Sequence, residues 1–323
     1  MGIIELEHLT KRFDGLTAVN DLTLDIADGE FFGLLGPNGA GKTTTLLMLT
    51  TLLKPTSGTA RVNGFDLVRQ ARQVRNAIGI VFQDPSSDDT LTGYENLKLH
   101  GMLYHMPSAL REERIRDVLA LVDLTDRKDE IVKHYSGGMR RRLELGRGLM
   151  HRPRVLFLDE PTLGLDPQSR EHIWTYVERL VIEAKITVVL TTHYMEEADH
   201  LCGRVAIIDH GRIAALDTPA GLKRVVGGDI ITLGVQAPDL AAVQALGVVD
   251  EVDHKDGILK LTVRDAKARL PRILQAIGAV DWVEVHPATL EDVFIHYTGH
   301  EIRDVSEEGG WAERSMRYRS GTR

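Results

Sequence analysis

Short runs of alternating hydrophobic and polar residues dominate positions 3–35 of the chain. They are IIELEHLTKRF, LTAVNDLTLDI and EFFGLLG, and the dipeptides Asp14-Gly15 and Asp28-Gly29 separate them. Alternation with a period of two residues predicts strands, and Asp-Gly suits the positive φ angles of a tight hairpin turn. We therefore predict hairpin turns at both dipeptides and a further hairpin-like unit at GTARVNGFDL.

Helical and continuous apolar patterns replace this alternation farther along the chain. Helical spacing appears in KTTTLLMLTTLL and again from about Pro85 to Lys133, most clearly in ALREERIRDVLALVDL. RVLFLDEP and ITVVLTTH are continuous apolar runs, which is typical of strands buried on both faces of a parallel sheet. QSREHIWTYVERLVIEA between them predicts a helix, and RVAIIDHGRIAALD predicts a hairpin around His210-Gly211. The pattern indicates an α/β fold with a mainly parallel core sheet.

The pattern changes near Gly227-Gly228, where we place a domain boundary. The first domain is then 1–226 and the second 227–300. The second contains DIITLGVQ, VVDEVDHKDGILKLTV, DAKARLPRILQAIGAV and WVEVHPATLEDVFIHYTG, which predict a strand, a hairpin, a helix and another strand. This is the pattern of a small α+β domain. Residues 301–323 are charged and poor in apolar residues, so we predict a disordered tail there.

Composition and charge narrow the possible classes of protein. A chain of 323 residues with 43% hydrophobic and 27% charged residues can form two domains with a sizeable core. The net charge of −8 argues against a general nucleic-acid binder. Cys202 is the only cysteine, which excludes an internal disulfide and fits a reducing cytoplasm. No apolar run approaches the ~20 residues that span a bilayer, so we expect another chain to supply any membrane span.

A glycine-rich loop follows FFGLLG and matches the phosphate-binding pattern G-x-x-x-x-G-K-[ST]. Glycines let consecutive backbone N–H groups face one anion, and the helix that begins at Lys42 adds the positive end of its dipole. Lys42 supplies a charge for the β- and γ-phosphates of ATP, and the Thr43 hydroxyl is a ligand for Mg²⁺. The residues predicted to bind ATP here are Gly36, Pro37, Asn38, Gly39, Ala40, Gly41, Lys42, Thr43 and Thr44.

Two acidic residues end the apolar strand RVLFLDEP, and a histidine ends the strand after it. Asp159 at the carboxyl edge of the sheet would hold Mg²⁺ through its water shell, and Glu160 would act as general base for attack on the γ-phosphate. His193 would hydrogen-bond the γ-phosphate. Taken alone, such an acidic pair more often caps a helix, and such a histidine is more often a polar terminator. The phosphate loop favours the catalytic interpretation.

The order of these motifs resembles that of ATP-binding-cassette (ABC) ATPases, the motor subunits of ABC transporters. The motifs are the phosphate loop, Gln83 after IGIVFQ, YSGGM at 135–139, LFLDE at 156–160, GLD at 164–166 and His193. Other phosphate-loop ATPases lack the serine-glycine-glycine element, and the sequence has no guanine-reading N-K-x-D motif. The resemblance covers about residues 3–220. It implies a P-loop NTPase fold with an antiparallel β subdomain and a helical subdomain at about 84–139.

The resemblance also implies a head-to-tail homodimer that sandwiches two ATP molecules. The signature loop of one subunit would complete the ATP site of the other, through Tyr135, Ser136, Gly137, Gly138 and Met139. Gln83 matches the residue that contacts Mg²⁺ and senses the γ-phosphate, and Asp166 matches the aspartate that communicates across the dimer. Phe13 matches the aromatic residue that stacks on adenine, with Val19 beside it, and His193 matches the switch histidine. The helical subdomain matches the part that docks on a separate multi-helix membrane permease.

Three positions depart from the commonest form of these motifs. Phe13 stands where tyrosine is frequent, which keeps stacking and loses a hydroxyl contact. Tyr135 and Met139 replace leucine and glutamine without removing the serine hydroxyl or the backbone donors. The expected catalytic residues Lys42, Gln83, Asp159, Glu160 and His193 are all present, so we expect ATP hydrolysis.

Two longer stretches point to a subgroup and to a function. YSGGMRRRLELGRGL and PATLEDVFIHYTGHE resemble single-cassette exporter ATPases of the daunorubicin-resistance type. This implies export of a hydrophobic or amphipathic compound, drug-like or lipid, from the cytoplasmic face of the cell membrane. Two alternatives remain: a soluble ABC ATPase acting on ribosomes or nucleic acid, and a nucleotide-gated adaptor without transport. The first usually carries two cassettes or a coiled-coil insertion, and the intact catalytic set opposes the second.

Arg140, Arg141 and Arg142 follow the signature glycines directly. Such a run fits a solvated basic helix face, a nucleic-acid patch or a contact with phosphate. Because the net charge argues against nucleic acid, we predict that the three arginines begin a helix, strengthen its positive end and support the contact between subunits.

Overall fold

The computed structural model describes residues 2–236, 238–255 and 257–300, and the chain forms two compact units. The first unit extends to Ala214 and the second begins at Ala215. The predicted tail, 301–323, lies outside the described residues.

The first unit contains most of the strands and helices, and the division between the units falls within its last strand, Arg212–Asp217. In chain order its elements are β1 (Ile4–Phe13), β2 (Leu16–Ile26), β3 (Phe31–Leu35), α1 (Lys42–Leu49), β4 (Ser57–Val62), β5 (Phe65–Asp66), α2 (Ala71–Ala77), β6 (Ile78–Val81), α3 (Gly93–Leu103), α4 (Ser108–Leu121), α5 (Gly137–Leu149), β7 (Val155–Asp159), α6 (Pro167–Ala184), β8 (Thr187–Thr192), α7 (Met195–Leu201), β9 (Arg204–Asp209) and β10 (Arg212–Asp217). Two short 3₁₀ helices, Thr125–Arg127 and Val132–His134, lie between α4 and α5.

A six-stranded sheet in the order β10-β9-β3-β8-β7-β6 forms the centre of this unit. The pairs β9–β3, β3–β8, β8–β7 and β7–β6 are parallel. Every residue of β3, β7 and β8 is buried, which confirms the prediction from the continuous apolar runs. Leu35 pairs with Thr192 and Asp159 pairs with Thr191. The carboxyl ends of these strands therefore meet at one edge, directly before the phosphate loop, Glu160 and His193.

A second sheet, in the order β2-β1-β4-β5, is the predicted antiparallel β subdomain. The hairpins β1–β2 and β4–β5 are confirmed, and so is the hairpin β9–β10 at His210-Gly211. The prediction of a hairpin turn at Asp28-Gly29 is wrong, because β2 and β3 belong to different sheets. The reason lies in burial: β3 is apolar on both faces and fills the parallel sheet, whereas β2 alternates and keeps one face exposed.

Helices α3 and α4 lie within the predicted helical region at about 84–139, and α5 begins at its end. A capping box starts α3, in which Thr92 and Glu95 bond each other's backbone N–H groups. The sequence pattern did not predict the seven-residue helix α2. None of the helices within the described ranges is long and apolar enough to cross a membrane.

The second unit is the predicted small α+β domain. Its elements are α8 (Pro219–Val225), β11 (Asp229–Gly234), α9 (Leu240–Ala245), β12 (Val249–Lys255), β13 (Ile258–Val263), α10 (Ala266–Ile277), β14 (Trp282–His286) and α11 (Leu290–Thr298). The strands form an antiparallel sheet in the order β12-β13-β11-β14. Ile231, Leu233 and Leu261 of the sheet pack with Val243 of α9 and Ile273 of α10 in one buried core.

Three features of this unit differ from the prediction. The units divide before the predicted boundary at 226/227 because α8 packs against α11. The sequence pattern missed α9, which has only six residues. It also merged α11 with the preceding strand, although a capping box between Thr289 and Asp292 begins this helix.

A half-buried aromatic cluster joins α3 to the chain after α5. The ring of His100 lies 5.1 Å from that of Tyr104, and Tyr104 stacks on His151 at 3.9 Å. Burial lowers the pKa of His100 to about 4, and the positive charges of Arg147 and His151 act in the same direction. His100 is therefore neutral in the folded protein at pH 7, whereas the unfolded chain takes up a proton near pH 6.5.

We expect acid to destabilise the fold through His100. Between about pH 6.5 and 4 the unfolded chain binds more protons at this position than the folded chain, so the free energy of unfolding falls as pH falls, by at most about 1.4 kcal/mol per pH unit. Unfolding temperatures of the wild type and His100→Gln at several pH values measure this effect. The decrease in unfolding temperature below pH 6.5 should be smaller in His100→Gln than in the wild type. It should be unchanged in His172→Gln, which alters an exposed histidine of α6. Equal acid sensitivity in all three proteins would contradict it.

Candidate functional site

The phosphate loop connects β3 to α1 at the carboxyl edge of the six-stranded sheet. The Gly36 N–H donates to the carbonyl of Thr192 at 3.3 Å, which ties the loop to the end of β8. Gly41 is the N-cap of α1 with φ at 105°, and a Cβ there would clash with the backbone oxygen of Ala18. The geometry therefore requires glycine at position 41. The first N–H groups of α1 have no partner inside the helix, so this end suits an anion.

The predicted ATP-binding residues of this loop differ in exposure. Gly36, Ala40, Gly41 and Lys42 are buried, Pro37, Thr43 and Thr44 are half-buried, and Asn38 and Gly39 are exposed.

The Lys42 side chain lies inside the loop and is only 4% exposed. Its Nζ donates to the carbonyls of Gly36 at 2.7 Å and Pro37 at 3.0 Å, and lies 3.7 Å from Glu160 Oε1. Burial lowers the pKa of Lys42, while the carboxylates of Glu160 and Asp159 act in the opposite direction. The loop thus holds an ammonium group where phosphates would meet the first N–H groups of α1.

Asp159 ends β7 and is buried. Its Oδ1 accepts hydrogen bonds from Thr191 Oγ1 at 2.5 Å and from Thr43 Oγ1 at 3.2 Å. Burial raises the pKa of Asp159, and these two hydroxyl groups oppose the rise. The contact brings Thr43 and Asp159, two of the three predicted metal-binding residues, together, with oxygen atoms of the kind that Mg²⁺ prefers.

Glu160 follows Asp159 and lies between Lys42 and His193. Its Oε1 is 3.2 Å from His193 Nδ1, and its backbone N–H donates to the Thr191 carbonyl at 3.0 Å. Its φ of 46° is in the left-handed region, which a non-glycine residue adopts only when its surroundings impose it. The ring of His193 packs on Tyr194 with 4.2 Å between centroids. Three predicted catalytic residues therefore form one buried cluster.

Gln83 follows β6 and is half-buried. Because Val81 of β6 pairs with Leu158 of β7, Gln83 lies at the same carboxyl edge as Asp159. The preceding carbonyl, that of Phe82, accepts a hydrogen bond from Arg141. The structure thus places all four predicted catalytic residues at one edge of one sheet.

The prediction that the three arginines begin a helix is confirmed by α5, but the predicted contact of Arg141 with the other subunit is wrong, because this side chain faces inward. This side chain is only 6% exposed and donates to backbone carbonyls, and burial lowers its pKa to about 10. The helical period puts position 141 on the same buried face of α5 as Leu145. Arg140 instead pairs with Asp89 at 3.0 Å and Arg142 with Asp123 at 3.1 Å.

The signature loop begins α5. Ser136 is the N-cap, and its Oγ accepts from the Met139 N–H at 3.2 Å. Ser136 and Gly137 are exposed, and Gly138 and Met139 are half-buried. The Tyr135 hydroxyl is turned inward and donates to the Arg127 carbonyl at 2.7 Å. Tyrosine in place of leucine therefore fixes the loop to the helical region, and the serine end of α5 stays accessible.

The remaining predicted site residues lie apart from this cluster. Phe13 is half-buried at the end of β1, with Lys11 Nζ 5.0 Å from its ring centroid. Val19 has no exposed surface and belongs to the hydrophobic core, so its surroundings favour a packing role. Asp166 is exposed at the N-cap of α6, where it accepts from the Ser169 N–H at 2.9 Å and its hydroxyl at 2.6 Å.

Thr191 is a functional neighbour that the sequence pattern missed. It contacts both acidic residues, through its hydroxyl to Asp159 and through its carbonyl to Glu160. Its position in ITVVLTTH, two residues before His193 on the strand next to β7, is the signal that could have identified it.

The arrangement has the components of a nucleotide hydrolysis site. A helix N-terminus and a buried ammonium group can bind phosphates, a hydroxyl and a carboxylate can hold a cation, and a carboxylate beside a histidine can move a proton.

Two family models match the chain. The model "ABC transporter" matches residues 19–163, and the model of the C-terminal domain of DrrA1-3-like ATP-binding proteins matches residues 218–298.

Curated relatives match almost the whole chain. The daunorubicin resistance ATP-binding protein DrrA2 of Streptomyces coeruleorubidus is 42% identical over 94% of this chain and 97% of its own length. The linearmycin resistance ATP-binding protein LnrL of Bacillus subtilis is 36% identical over 94% of this chain and 100% of its own length.

Solved structures show the same architecture. CbiO1 of Clostridium perfringens, part of an ABC transporter complex, has a TM-score of 0.65 and 28% identity over 70% of this chain and 93% of its own. A dimeric ATP-binding cassette in a post-hydrolysis state with ADP and Pi has a TM-score of 0.59 and 27% identity over 67% of this chain and 98% of its own. The predicted P-loop NTPase fold is therefore confirmed. The chain belongs to the ATP-binding proteins of ABC transporters, within the drug-resistance group of exporter ATPases.

Proposed function

We propose that this ATPase hydrolyses Mg²⁺-ATP in a head-to-tail homodimer and powers export of a hydrophobic or amphipathic compound through a separate permease. The observation that carries the proposal is the buried cluster of Lys42, Glu160 and His193 beside the phosphate loop. These residues provide a phosphate-binding cation, a base and a second proton carrier within a few ångströms of each other.

ATP binds with its phosphates on the loop between β3 and α1. The first N–H groups of α1 and the Lys42 ammonium neutralise the β- and γ-phosphates. Thr44 lies in the first turn of α1 and contributes its backbone N–H, and Phe13 offers a ring on which adenine can stack. Since Val19 is buried, we assign recognition of the base to Phe13 alone.

Thr43, Gln83 and Asp159 would hold Mg²⁺. The donor set fits, because a hydroxyl, an amide carbonyl and a carboxylate are all hard oxygen ligands. The bound cation would neutralise charge that develops on the phosphate oxygens.

Glu160 is the general base for hydrolysis. Its carboxylate accepts a proton from a water molecule as the water oxygen forms a bond to the γ-phosphorus and the bond to the β–γ bridging oxygen breaks. The products are ADP and phosphate. His193 keeps the Glu160 carboxylate in position from 3.2 Å and hydrogen-bonds the γ-phosphate, while Lys42 stabilises the negative charge.

The second subunit supplies the signature loop. Ser136 and Gly137 are exposed at the N-terminus of a thirteen-residue helix, α5, which provides a hydroxyl and N–H groups for a γ-phosphate. The dimeric state of the related cassette with ADP and Pi supports this arrangement. Asp166, exposed at the N-cap of α6, would then take part in the contact between the subunits.

An exposed apolar face on α3 supports docking on a permease. Leu99, Met102 and Leu103 are 44%, 53% and 67% exposed, and a surface patch of this kind commonly marks a protein contact. The relatives that confer resistance to daunorubicin and linearmycin support an amphipathic substrate, and they support a location at the cytoplasmic face of the cell membrane. The net charge of −8 argues against the alternative partners, ribosomes and nucleic acid.

Co-expression with a candidate permease tests the proposal. We expect an amphipathic drug such as daunorubicin to raise ATP hydrolysis at least about twofold in vesicles that contain both chains. Leu103→Glu should abolish this stimulation because it puts a charge into the apolar face, whereas Val68→Glu, at an exposed apolar residue of the β subdomain, should retain it. Stimulation unaffected by Leu103→Glu would overturn the docking surface, and no response to any apolar compound would overturn export.

A further inference from the structure

Arg141 lies where α5 meets two other backbone segments around the hydrolysis cluster. Its Nη1 donates to the Phe82 carbonyl at 2.5 Å, its Nε to the Pro161 carbonyl at 2.6 Å, and its Nη2 to the Asp159 carbonyl at 3.3 Å. Phe82 precedes Gln83, and Asp159 and Pro161 flank Glu160. One guanidinium group therefore contacts the backbone next to both residues.

We propose that Arg141 is a positioning residue for ATP hydrolysis, which fixes Glu160 and Gln83 relative to each other and to the signature helix α5. Glu144, one helical turn later in α5, contributes to this role by holding the residues that follow Gln83. The inference rests on the proposed roles of Glu160 and Gln83 and adds the group that aligns them.

The chemistry at this position favours arginine over any other residue. The planar guanidinium group presents donors in several directions at fixed angles, so it can serve three carbonyls at once. Lysine has the same charge at a single nitrogen and cannot reach three carbonyls on two separate segments with the same geometry. Without Arg141, buried carbonyls of these segments would lose their donor, which is unfavourable in a protein interior.

The contact has a specific consequence for Glu160. This residue adopts a φ of 46°, a conformation that persists only when neighbouring contacts enforce it. Arg141 bonds to the carbonyl before Glu160 and to the carbonyl after it, and the Thr191 carbonyl accepts from the Glu160 N–H. These contacts hold the backbone of the general base on both sides.

Glu144 holds the chain after Gln83. Its carboxylate accepts from the Ser86 N–H at 3.1 Å, the Ser87 N–H at 2.7 Å and the Ser86 hydroxyl at 2.9 Å. Arg147 pairs with the same carboxylate at 2.9 Å, and Glu144 is only 4% exposed.

The Gln83 segment is thus attached to α5 at two points, by Arg141 before Gln83 and by Glu144 after it. The same helix begins at Ser136, the residue that we assign to the partner subunit's ATP. A shift of Gln83 therefore displaces α5 as well, and with α5 the signature loop at its N-terminus. Arg141 thereby links the ATP site on the chain's own phosphate loop to the partner subunit's ATP site, to which the chain contributes its signature loop.

Arg141→Met in the full-length chain tests the proposal. We expect kcat for ATP hydrolysis to fall at least about 30-fold while KM and the dissociation constant for ATP change less than about threefold, because the phosphate loop keeps its contacts. Arg141→Lys should give an intermediate kcat. Glu144→Gln should lower kcat several-fold with the same unchanged KM, and it provides a second variant if Arg141→Met does not fold.

Arg114 provides a matched control. Its side chain is 11% exposed, and it also bonds to backbone carbonyls, those of Leu149 and Met150, at the far end of α5. Arg114→Met should lower the unfolding temperature about as much as Arg141→Met does and leave kcat within about twofold of the wild type.

The outcomes separate this inference from the proposed function. A kcat for Arg141→Met no lower than that for Arg114→Met would overturn the positioning role, and so would a parallel loss of kcat and ATP affinity. If Glu160→Gln hydrolyses ATP at the wild-type rate while Arg141→Met is slow, Glu160 is not the base. The alignment of Glu160 by Arg141 is then overturned as well.

Discussion

Glu160→Gln is expected to lower kcat for ATP hydrolysis by about 100- to 10,000-fold, the range that a general base contributes. The amide keeps the shape of the side chain and its place beside Lys42, where Oε1 lies 3.7 Å from Nζ, but it cannot accept a proton from water. The phosphate loop is unchanged, so ATP affinity should stay within about threefold of the wild type. Phosphate release at steady state and equilibrium nucleotide binding measure the two quantities.

The same variant should accumulate as an ATP-bound dimer, because the step that separates the subunits no longer occurs. Gel filtration with ATP and with ADP detects this dimer. Glu196→Gln is the matched control, since Glu196 is an exposed glutamate of α7 and its loss should leave kcat unchanged. Near-normal hydrolysis by Glu160→Gln would contradict the assignment of Glu160 as the base.

The sequence predicted the elements of this site because its chemistry coincides with the ends of buried strands. Parallel strands bring their carboxyl ends to one edge. Asp159, Glu160 and His193, which end two such apolar runs, therefore had to lie near the loop that follows a third. The contacts of 3.7 and 3.2 Å around Glu160 agree with that reasoning.

The sequence pattern failed where tertiary packing decided the outcome. The dipeptide at Asp28-Gly29 has the residues of a hairpin turn, but the turn preference acts over only a few residues, and the burial of β3 between β8 and β9 overrides it. Arg141 belongs to a run of three arginines, which is typical of a solvated helix face, but its side chain is buried. Its partners are carbonyls 59, 20 and 18 residues away in the chain, and no local pattern contains them.

Activity should return when two inactive variants are mixed, if each ATP site uses both subunits. Lys42→Ala removes the cation of the phosphate loop, and Ser136→Arg blocks the exposed start of α5. Each variant alone should keep less than about 1% of the wild-type rate, since every site of its homodimer carries the defect.

In a mixed dimer of the two variants one site combines both defects and the other site contains neither. Random pairing makes half of the dimers mixed, with one of two sites intact, so an equal mixture should reach up to about a quarter of the wild-type rate. Lys42→Ala mixed with the double variant Lys42→Ala, Ser136→Arg has no intact site and should remain inactive. A mixture that exchanges subunits and gains no activity would contradict the shared site. If ATP hydrolysis recovers in the first mixture and not in the second, Lys42 of one subunit and Ser136 of the other act on the same ATP molecule. A site formed within one chain would remain defective in both variants.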